Sequence, residues 1–251
     1  MEVIGIQTPV IKTGDDLVKI ILKSIEEKGE KLKENDVLII ASSVVSTANG
    51  RIQKIADVEP SKQAKKLAEK SGLPEKFVEI IVQEADDILS PSEKCILTLK
   101  DEMLRINAGV DRTNVPAGNA LLIPEEPEKK AAELREKLEE KSRKKLGVVI
   151  ADSHVQPLRL GTTGQALGSN GIKESLDFRN RKDLYGRKLQ ITFRGIGDQI
   201  AAAAQLIMGE ADESIPVVIL RGAKAAFSDK PEKSLKVAMK DCVYSKFFNG
   251  K

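Results

Sequence analysis

Apolar positions recur along the chain with two spacings, and each spacing marks a kind of element. "EVIGI", residues 2–6, reads as a strand. "TGDDLVKIILKSIEEKG", 13–29, reads as a helix: Leu17, Ile20, Ile21 and Ile25 follow helical spacing, Thr13 offers a cap, Asp15 and Asp16 favour the first turn, and Gly29 closes it. "DVLIIASSVVS", 36–46, is a continuous apolar run and predicts one buried strand that breaks into small hydroxyl residues. "SKQAKKLAEKSG", 61–72, predicts a helix ended by Gly72, and "PEKFVEIIVQEADDIL", 74–89, a second with Pro74 in its first turn. "CILTLK", 95–100, and "MLRINAGV", 103–110, predict two strands joined near 100–102.

The second half continues the mixture. "PEEPEKKAAELREKLEEKSRKK", 124–145, predicts a strongly charged helix whose Ala132, Leu134 and Leu138 make a thin apolar stripe, enough to cover one side of a domain. "LGVVIAD", 146–152, "LQITFRGI", 189–196, and "IPVVILRG", 215–222, read as strands. "GDQIAAAAQLIMG", 197–209, reads as a helix with an alanine face that permits close approach, and "SLKVAMKDCVYSKFF", 234–248, as a C-terminal helix. Helices and strands are numerous but do not alternate strictly. The fold class this predicts is α+β, with mixed sheets and flanking helices, rather than a doubly wound sheet. No short-period repeat or low-complexity linker interrupts residues 1–251, so they read as a single unit.

Composition narrows the function. Hydrophobic residues at 41% and charged residues at 31% fit a soluble chain with a real core. Lys plus Arg is 41 against 38 Asp plus Glu, a net charge of +3, and aromatics are 3%; neither the charge nor the stacking residues of a nucleic-acid binder are present. Cys95 and Cys242 lack CxxC spacing and suggest neither a disulfide framework nor a zinc site. The first residues lack the basic and apolar regions of a signal peptide, and no apolar run approaches the ~20 residues that span a bilayer. The expected setting is the cytoplasm, away from membranes.

Candidate chemistry gathers where acids and amides follow apolar strands or glycine breaks. "INAGVDRTN", 106–114, carries Asn107, Asp111 and Asn114; Asp152 and Ser153 end the 146–152 strand; "MGEADESIP", 208–216, carries Glu210. Asp and Asn at such places are also ordinary turn formers. Brought together, Asp111, Asp152 and Glu210 would suit a hard divalent cation, which takes oxygen ligands and, for magnesium, substrate phosphates. No HExxH, EF-hand or Walker A pattern occurs. His154, the only histidine, has no assigned chemistry. Gly161, Gly164, Gly168 and Gly171 concentrate with Arg159, Arg179, Arg181 and Arg187; glycine-rich tracts are often plain turns, but with arginine beside them they favour an anionic ligand.

The ordered set "TPVIKTGDDL", "DVLIIASSVVSTANGRI", "INAGVDRTNV", "VVIADS", "RLGTTGQALGSNGI", "RKDLYGRKLQITF", "GDQIAAAAQLIMGE" and "IPVVILRG" resembles the coenzyme F420-0:L-glutamate ligase (F420 gamma-glutamyl ligase) family over nearly the whole chain. The resemblance implies a two-lobed α+β fold, with lobes formed by non-contiguous segments, in an intertwined homodimer. It implies that L-glutamate is joined to the lactyl carboxylate of a deazaflavin coenzyme precursor, F420-0 or an acceptor like it, through an acyl phosphate. GTP is the co-substrate and magnesium or manganese the metal. Carried onto this chain, the metal ligands are Asp111, Asp152, Ser153 and Glu210. The nucleotide residues are Thr8, Pro9, Val10, Ile11, Ser42, Ser43, Asn114, Met208, Gly209, Ala211, Asp212, Glu213, Ser214 and Ile215, and Arg159 and Arg187 are candidates for the substrate. Departures are Thr47, where the family commonly has lysine; "SHVQPLR", where a "GRPWR"-like run is usual; and "DEMLRI" in place of a histidine-glycine pair. They leave two alternatives: a paralogous amide-forming ligase with another carboxylate acceptor, and a non-catalytic nucleotide-binding homologue.

Overall fold

Val37, Leu38, Ile39 and Ile40 are fully buried, as are Leu146, Val148, Val149 and Ile150, and these two runs pair as parallel strands. A strand covered on both faces has no polar face to alternate with, which is why both read as continuous apolar runs. The computed structural model describes residues 1–225, 227–229 and 235–248. It divides into two units, one made of Met1–Ala48 and Pro124–Leu235, the other of Asn49–Ile123 and Lys236–Lys251.

The first unit is built on a five-stranded sheet in the order Glu2–Ile6, Val217–Arg221, Asp36–Ala41, Leu146–Val155, Thr162–Asn170. Only the Asp36–Ala41 and Leu146–Val155 pair is parallel. On one face, Val37, Ile39, Val149, Ala151, Ala166, Val218 and Leu220 pack on Ile196, Ile200, Ala201 and Ala204 of the Ile196–Met208 helix. The other face meets the Pro127–Ser142 helix, with the Leu17–Glu27 helix beside it. Both helices come close to the sheet at glycines. A Cβ on Gly164 would lie 2.3 Å from the Ala201 carbonyl oxygen, and one on Gly168 would lie 2.4 Å from the Glu128 nitrogen. These glycines serve opposite faces because the ladder slips between them: Ile150 lies opposite Gly168 and Ala151 opposite Ala166, leaving Leu167 as the extra residue.

The second unit packs the Lys62–Ser71 and Glu75–Glu84 helices on a three-stranded antiparallel sheet, Asp87–Ser92, Cys95–Lys100 and Met103–Ile106. Its core includes Phe77, Val78, Ile80, Ile81, Ile96, Ala108 and Leu122. Ser61 caps the first helix by accepting from the Ala64 N–H, and Gly72 ends it at φ 70°. A short antiparallel pair, Ile52–Lys54 with Asn119–Leu121, completes the unit.

The α+β class holds, and several element boundaries change. The 36–46 run is not one strand: it stops at Ala41 and turns into the Ser42–Ala48 helix, whose buried Ser42, Val45 and Ser46 follow helical spacing. A short apolar run does not declare its period, and the helix was hidden in it. The cap of the Leu17–Glu27 helix is Asp16, which accepts from the Lys19 N–H, and not Thr13. The 74–89 helix ends at Glu84, since Ala85 is extended and Asp87 opens a strand. The 103–110 strand ends at Ile106 because Asn107 and Ala108 take positive φ. Of 189–196 only Phe193–Gly195 forms a strand, laddered with Ser175–Asp177. In place of a C-terminal helix there are one turn at Met239–Asp241 and a short helix at Ser245–Phe248; Ser234 lies outside the described residues. Among the described residues no helix is long and apolar enough to cross a membrane.

Candidate functional site

Asp36–Ala41 and Leu146–Val155 reach their carboxyl ends together, the edge of a parallel pair where ligands commonly bind. Ala41 lies opposite Ala151, so the next residue on each strand, Ser42 and Asp152, meet: the Ser42 hydroxyl donates to Asp152 Oδ1 at 3.0 Å. The Asp152 strand runs on to Val155. By the pleat, Asp152 and His154 leave one face and Ser153 the other. Across the ladder, Asp152 faces Gln165 and His154 faces Thr163, so these four share a face. The side-chain oxygen of Gln165 is buried there, and among the described residues no donor reaches it.

Glu210 follows the Ile196–Met208 helix, which Gly209 ends at positive φ. Its Oε1 accepts from the Thr162 hydroxyl at 2.8 Å and from Gln205 Nε2, so the first residue of one strand and the last turn of a helix fix this carboxylate. In the loop that follows, Glu213 accepts from the Ala211 N–H at 2.8 Å, and backbone N–H groups hold its carboxyl below the usual range. The Thr8 N–H donates to the Ser214 carbonyl at 3.1 Å. Two segments predicted to hold a nucleotide, Thr8 to Ile11 and Met208 to Ile215, are therefore joined. Val10 is exposed and Ile11 buried within the first, and Ser43 is half-buried beside Ser42.

Asp111 and Asn114 belong to the second unit. Asp111 pairs through its backbone with Leu121, and its carboxylate accepts from the Arg112 and Thr113 N–H groups at 2.6 and 3.1 Å and from the Thr113 hydroxyl. The side chain is exposed, and Asn114 stands three residues on at φ 52°. Within the first unit a further carboxyl, Asp198, is pushed up by burial, against which the Ala166 N–H at 3.0 Å and the charge of His154 act.

Much of the glycine–arginine tract is strand and hairpin rather than one glycine-rich loop. Residues 162–170 form a strand, and Gly164 and Gly168 are small so that helices can touch the sheet. Arg179 pairs with Asp177 at 2.6 Å and lies over Phe193, and Arg181 lies over Phe178. Arg187 pairs with Asp183 at 3.6 Å and lies over Tyr185, so its guanidinium is engaged within its own hairpin. Arg159 is exposed in the 156–161 loop. Strand-to-helix packing and hairpin stacking draw on the same residue types as anion binding, and composition does not separate them.

Asp152 and the Gln165 oxygen share one face of the sheet as oxygen donors, the chemistry a hard divalent cation accepts, whereas Glu210 is held apart from them by Thr162 and by Gln205 of the Ile196–Met208 helix. Among the described residues no three His, Cys, Asp or Glu side chains form a metal-holding group. Magnesium is typically held by one or two carboxylates together with substrate phosphates. Sequence reasoning missed Gln165, Thr162 and Gln205. The alternation of "TTGQALG" around small residues was the available signal, obscured by reading the tract as a loop.

The family model described as F420-0:Gamma-glutamyl ligase matches residues 5–222. Proteins named coenzyme F420:L-glutamate ligase are similar over most of their length. That of Methanopyrus kandleri is 43% identical over 215 residues, 85% of this chain and 83% of the relative. That of Archaeoglobus fulgidus is 38% identical over 218 residues, 87% and 86%. That of Methanothermobacter thermautotrophicus is 35% identical over 224 residues, 88% and 89%.

Proposed function

The chain belongs to the F420-0:gamma-glutamyl ligase family, and from that premise we propose that it joins L-glutamate to the carboxylate of F420-0 at the expense of GTP. The observation that supports this reading is the likeness to relatives named coenzyme F420:L-glutamate ligase, one of them 43% identical over 85% of the chain.

A carboxylate and an amine do not condense unaided in water. In the proposed reaction an acceptor carboxylate oxygen attacks the γ-phosphorus of GTP, an O–P bond forms and GDP leaves. The glutamate amine then attacks the acyl carbon, a C–N bond forms, inorganic phosphate leaves and the amine proton passes to solvent. The protein's part is positioning and charge placement. Thr8 to Ile11, Ser42, Ser43, Asn114 and the Met208 to Ile215 loop are the proposed nucleotide contacts. Asp111, Asp152, Ser153 and Glu210 are the proposed oxygens for magnesium or manganese, which neutralises phosphate charge when bound. Arg159, exposed in its loop, is the proposed acceptor contact; Arg187, already paired with Asp183, is the weaker one.

The proposed assembly is a homodimer in the cytoplasm. Supporting it, Leu158, Leu160, Leu184, Tyr185 and Ile191 of the first unit are almost wholly exposed, an arrangement that a second copy would cover. A second reading, ligation to a different carboxylate acceptor, draws on "SHVQPLR", where the exposed 156–160 loop departs from the family's usual run.

The test is incubation of purified protein with F420-0, L-glutamate, GTP and Mn²⁺ or Mg²⁺, read by mass spectrometry. Gain of a glutamyl unit together with GDP release is the expected result. GTP turnover with another acceptor but not F420-0 selects the second reading, and absence of both overturns the ligase assignment.

A further inference from the structure

We propose that Gln165 is a neutral oxygen ligand of the divalent cation held at Asp152, an inference that rests on the metal-dependent reading above. Gln165 and Asp152 are direct partners across the antiparallel ladder. Partners in such a ladder share a face, with Cβ atoms about 5 Å apart, within reach of one ion. The Asp152 carboxylate is oriented by the Ser42 hydroxyl at 3.0 Å. The Gln165 oxygen is buried, and among the described residues no donor reaches it. A buried acceptor left without a donor is costly and rare in folded proteins. Here its cross-strand neighbour is a carboxylate, also an acceptor. Two acceptors side by side are matched by a positive ion, and an amide oxygen beside a carboxylate is an ordinary ligand pair for a hard cation.

The surroundings hold the residue in place. Its chain neighbours, Gly164 and Ala166, are buried under the Ile196–Met208 helix, and the Ala166 N–H donates to Asp198 at 3.0 Å. The 164–166 backbone is thereby clamped from one face while Gln165 is presented on the other. The position thus offers a fixed, uncharged oxygen next to a fixed, charged one.

The test is direct Mn²⁺ binding, measured by the loss of the free-ion EPR signal with and without GDP, on the wild-type chain, Gln165→Met, Gln165→Glu and, as reference, Asp152→Asn. The expected result is that Gln165→Met binds Mn²⁺ about tenfold or more weakly. Gln165→Glu binds at least as tightly as wild type, because it keeps the oxygen and adds charge. Metal-free Gln165→Met melts no lower than wild type, and Mn²⁺ raises its melting temperature less than it raises that of wild type. Unchanged Mn²⁺ binding in Gln165→Met, with wild type binding the ion and ligating glutamate, overturns this inference alone. So does an unchanged Mn²⁺ affinity accompanied by a raised KM for L-glutamate, which assigns the oxygen to the substrate ammonium. Wild-type protein that neither binds Mn²⁺ nor ligates glutamate overturns the proposed function itself.

Discussion

Ser42 and Asp152 lie 110 residues apart in the chain and meet at 3.0 Å, hydroxyl to carboxylate. The meeting follows from register. Two parallel strands are aligned so that Ala41 faces Ala151, and the residue after each is polar. One strand becomes a helix at that residue and the other continues, which brings a hydroxyl from a helix start onto a carboxylate in a strand.

That relationship predicts a graded pair of variants. A hydrogen bond to a charged group contributes about 1.5–3 kcal/mol, so Ser42→Ala is expected to lower kcat/KM for glutamate ligation by about ten- to a hundredfold. Asp152→Asn, which removes the charge itself, is expected to lower it further, with the melting temperature of both variants near wild type. Steady-state kinetics beside thermal unfolding check this. Undiminished turnover in Asp152→Asn would remove this residue from the site.

Gly164 and Gly168 make the opposite prediction, a loss of stability with no specific loss of chemistry. A Cβ at Gly168 meets the backbone of Pro127 and Glu128, and one at Gly164 the backbone of Ala201 and Ala202, all within 2.8 Å. Backbone cannot swing aside as a side-chain tip can. Overpacking typically costs 1–3 kcal/mol, and roughly the upper end or more is expected for Gly164→Ala and Gly168→Ala. For a chain of this size that is a fall of about 6–12 °C in melting temperature. Calorimetry measures it, and an unchanged melting temperature would show that the helices do not approach as described.

Where one period dominated a long segment, the sequence was legible: the Leu17–Glu27 and Ile196–Met208 helices lie where their patterns predict, and the central strands begin where theirs do. Legibility failed where two structures share one composition. In residues 37–46 the apolar positions are broken only by small serines, so nothing in their hydrophobicity shows that Ser42 starts a helix. Gly164 and Gly168 are glycine for a reason that exists only once helices pack on the strand, while Gly161 and Gly171 take positive φ. Asp152 was visible as a polar residue closing an apolar run. Its partners Ser42 and Gln165 were not, because both depend on register between segments distant in the chain.

Arg221, at the end of an internal strand of the first unit's sheet, ties it to the start of the neighbouring Asp36–Ala41 strand. Its guanidinium donates to both oxygens of Asp36, at 3.1 Å each, and to Glu30 at 3.2 Å. Asp36 is fully buried. Removing one partner of such a pair leaves an uncompensated charge and costs about 3–5 kcal/mol, whereas removing both costs much less. Arg221→Met is therefore expected to be strongly destabilising, and Arg221→Met with Asp36→Asn to recover much of the loss. A denaturant double-mutant cycle checks this, and simple additivity of the two variants would contradict it.

Glu79 in the second unit sets a pH dependence. Burial raises its pKa, but hydrogen bonds from Ser61 and Gln83 outweigh burial and leave it below the ordinary 4.5. A carboxyl whose folded pKa is depressed stabilises the fold above its unfolded pKa, and that contribution is lost as pH falls through the folded value. The stability advantage of wild type over Glu79→Gln is thus expected to be constant from pH 7 down to about 5 and to shrink below about 4.5. Urea unfolding across that range measures it; an advantage that grew toward acid would reverse the assignment.

The exposed apolar side chains of the first unit give a test of the proposed homodimer. Leu158, Leu160 and Leu184 are fully exposed, and Tyr185 and Ile191 nearly so. Around 184 and 185 the hairpin is closed by backbone links, Asp183 N–H to the Arg187 carbonyl and Leu189 N–H to the Arg181 carbonyl, both at 2.8 Å, and by the Asp183 carboxylate, which accepts from the Tyr185 and Arg187 N–H groups. Leaving such side chains in water forfeits roughly 1.5–3 kcal/mol each relative to burial, enough for several together to hold a dimer. Leu160→Glu with Leu184→Glu is therefore expected to shift wild-type dimer to monomer in light scattering at micromolar concentration. Far-UV dichroism should not change, because neither side chain is part of a core in the chain itself. A wild-type chain already monomeric under those conditions, or a double variant that stays dimeric, would place the dimer contact elsewhere or remove it.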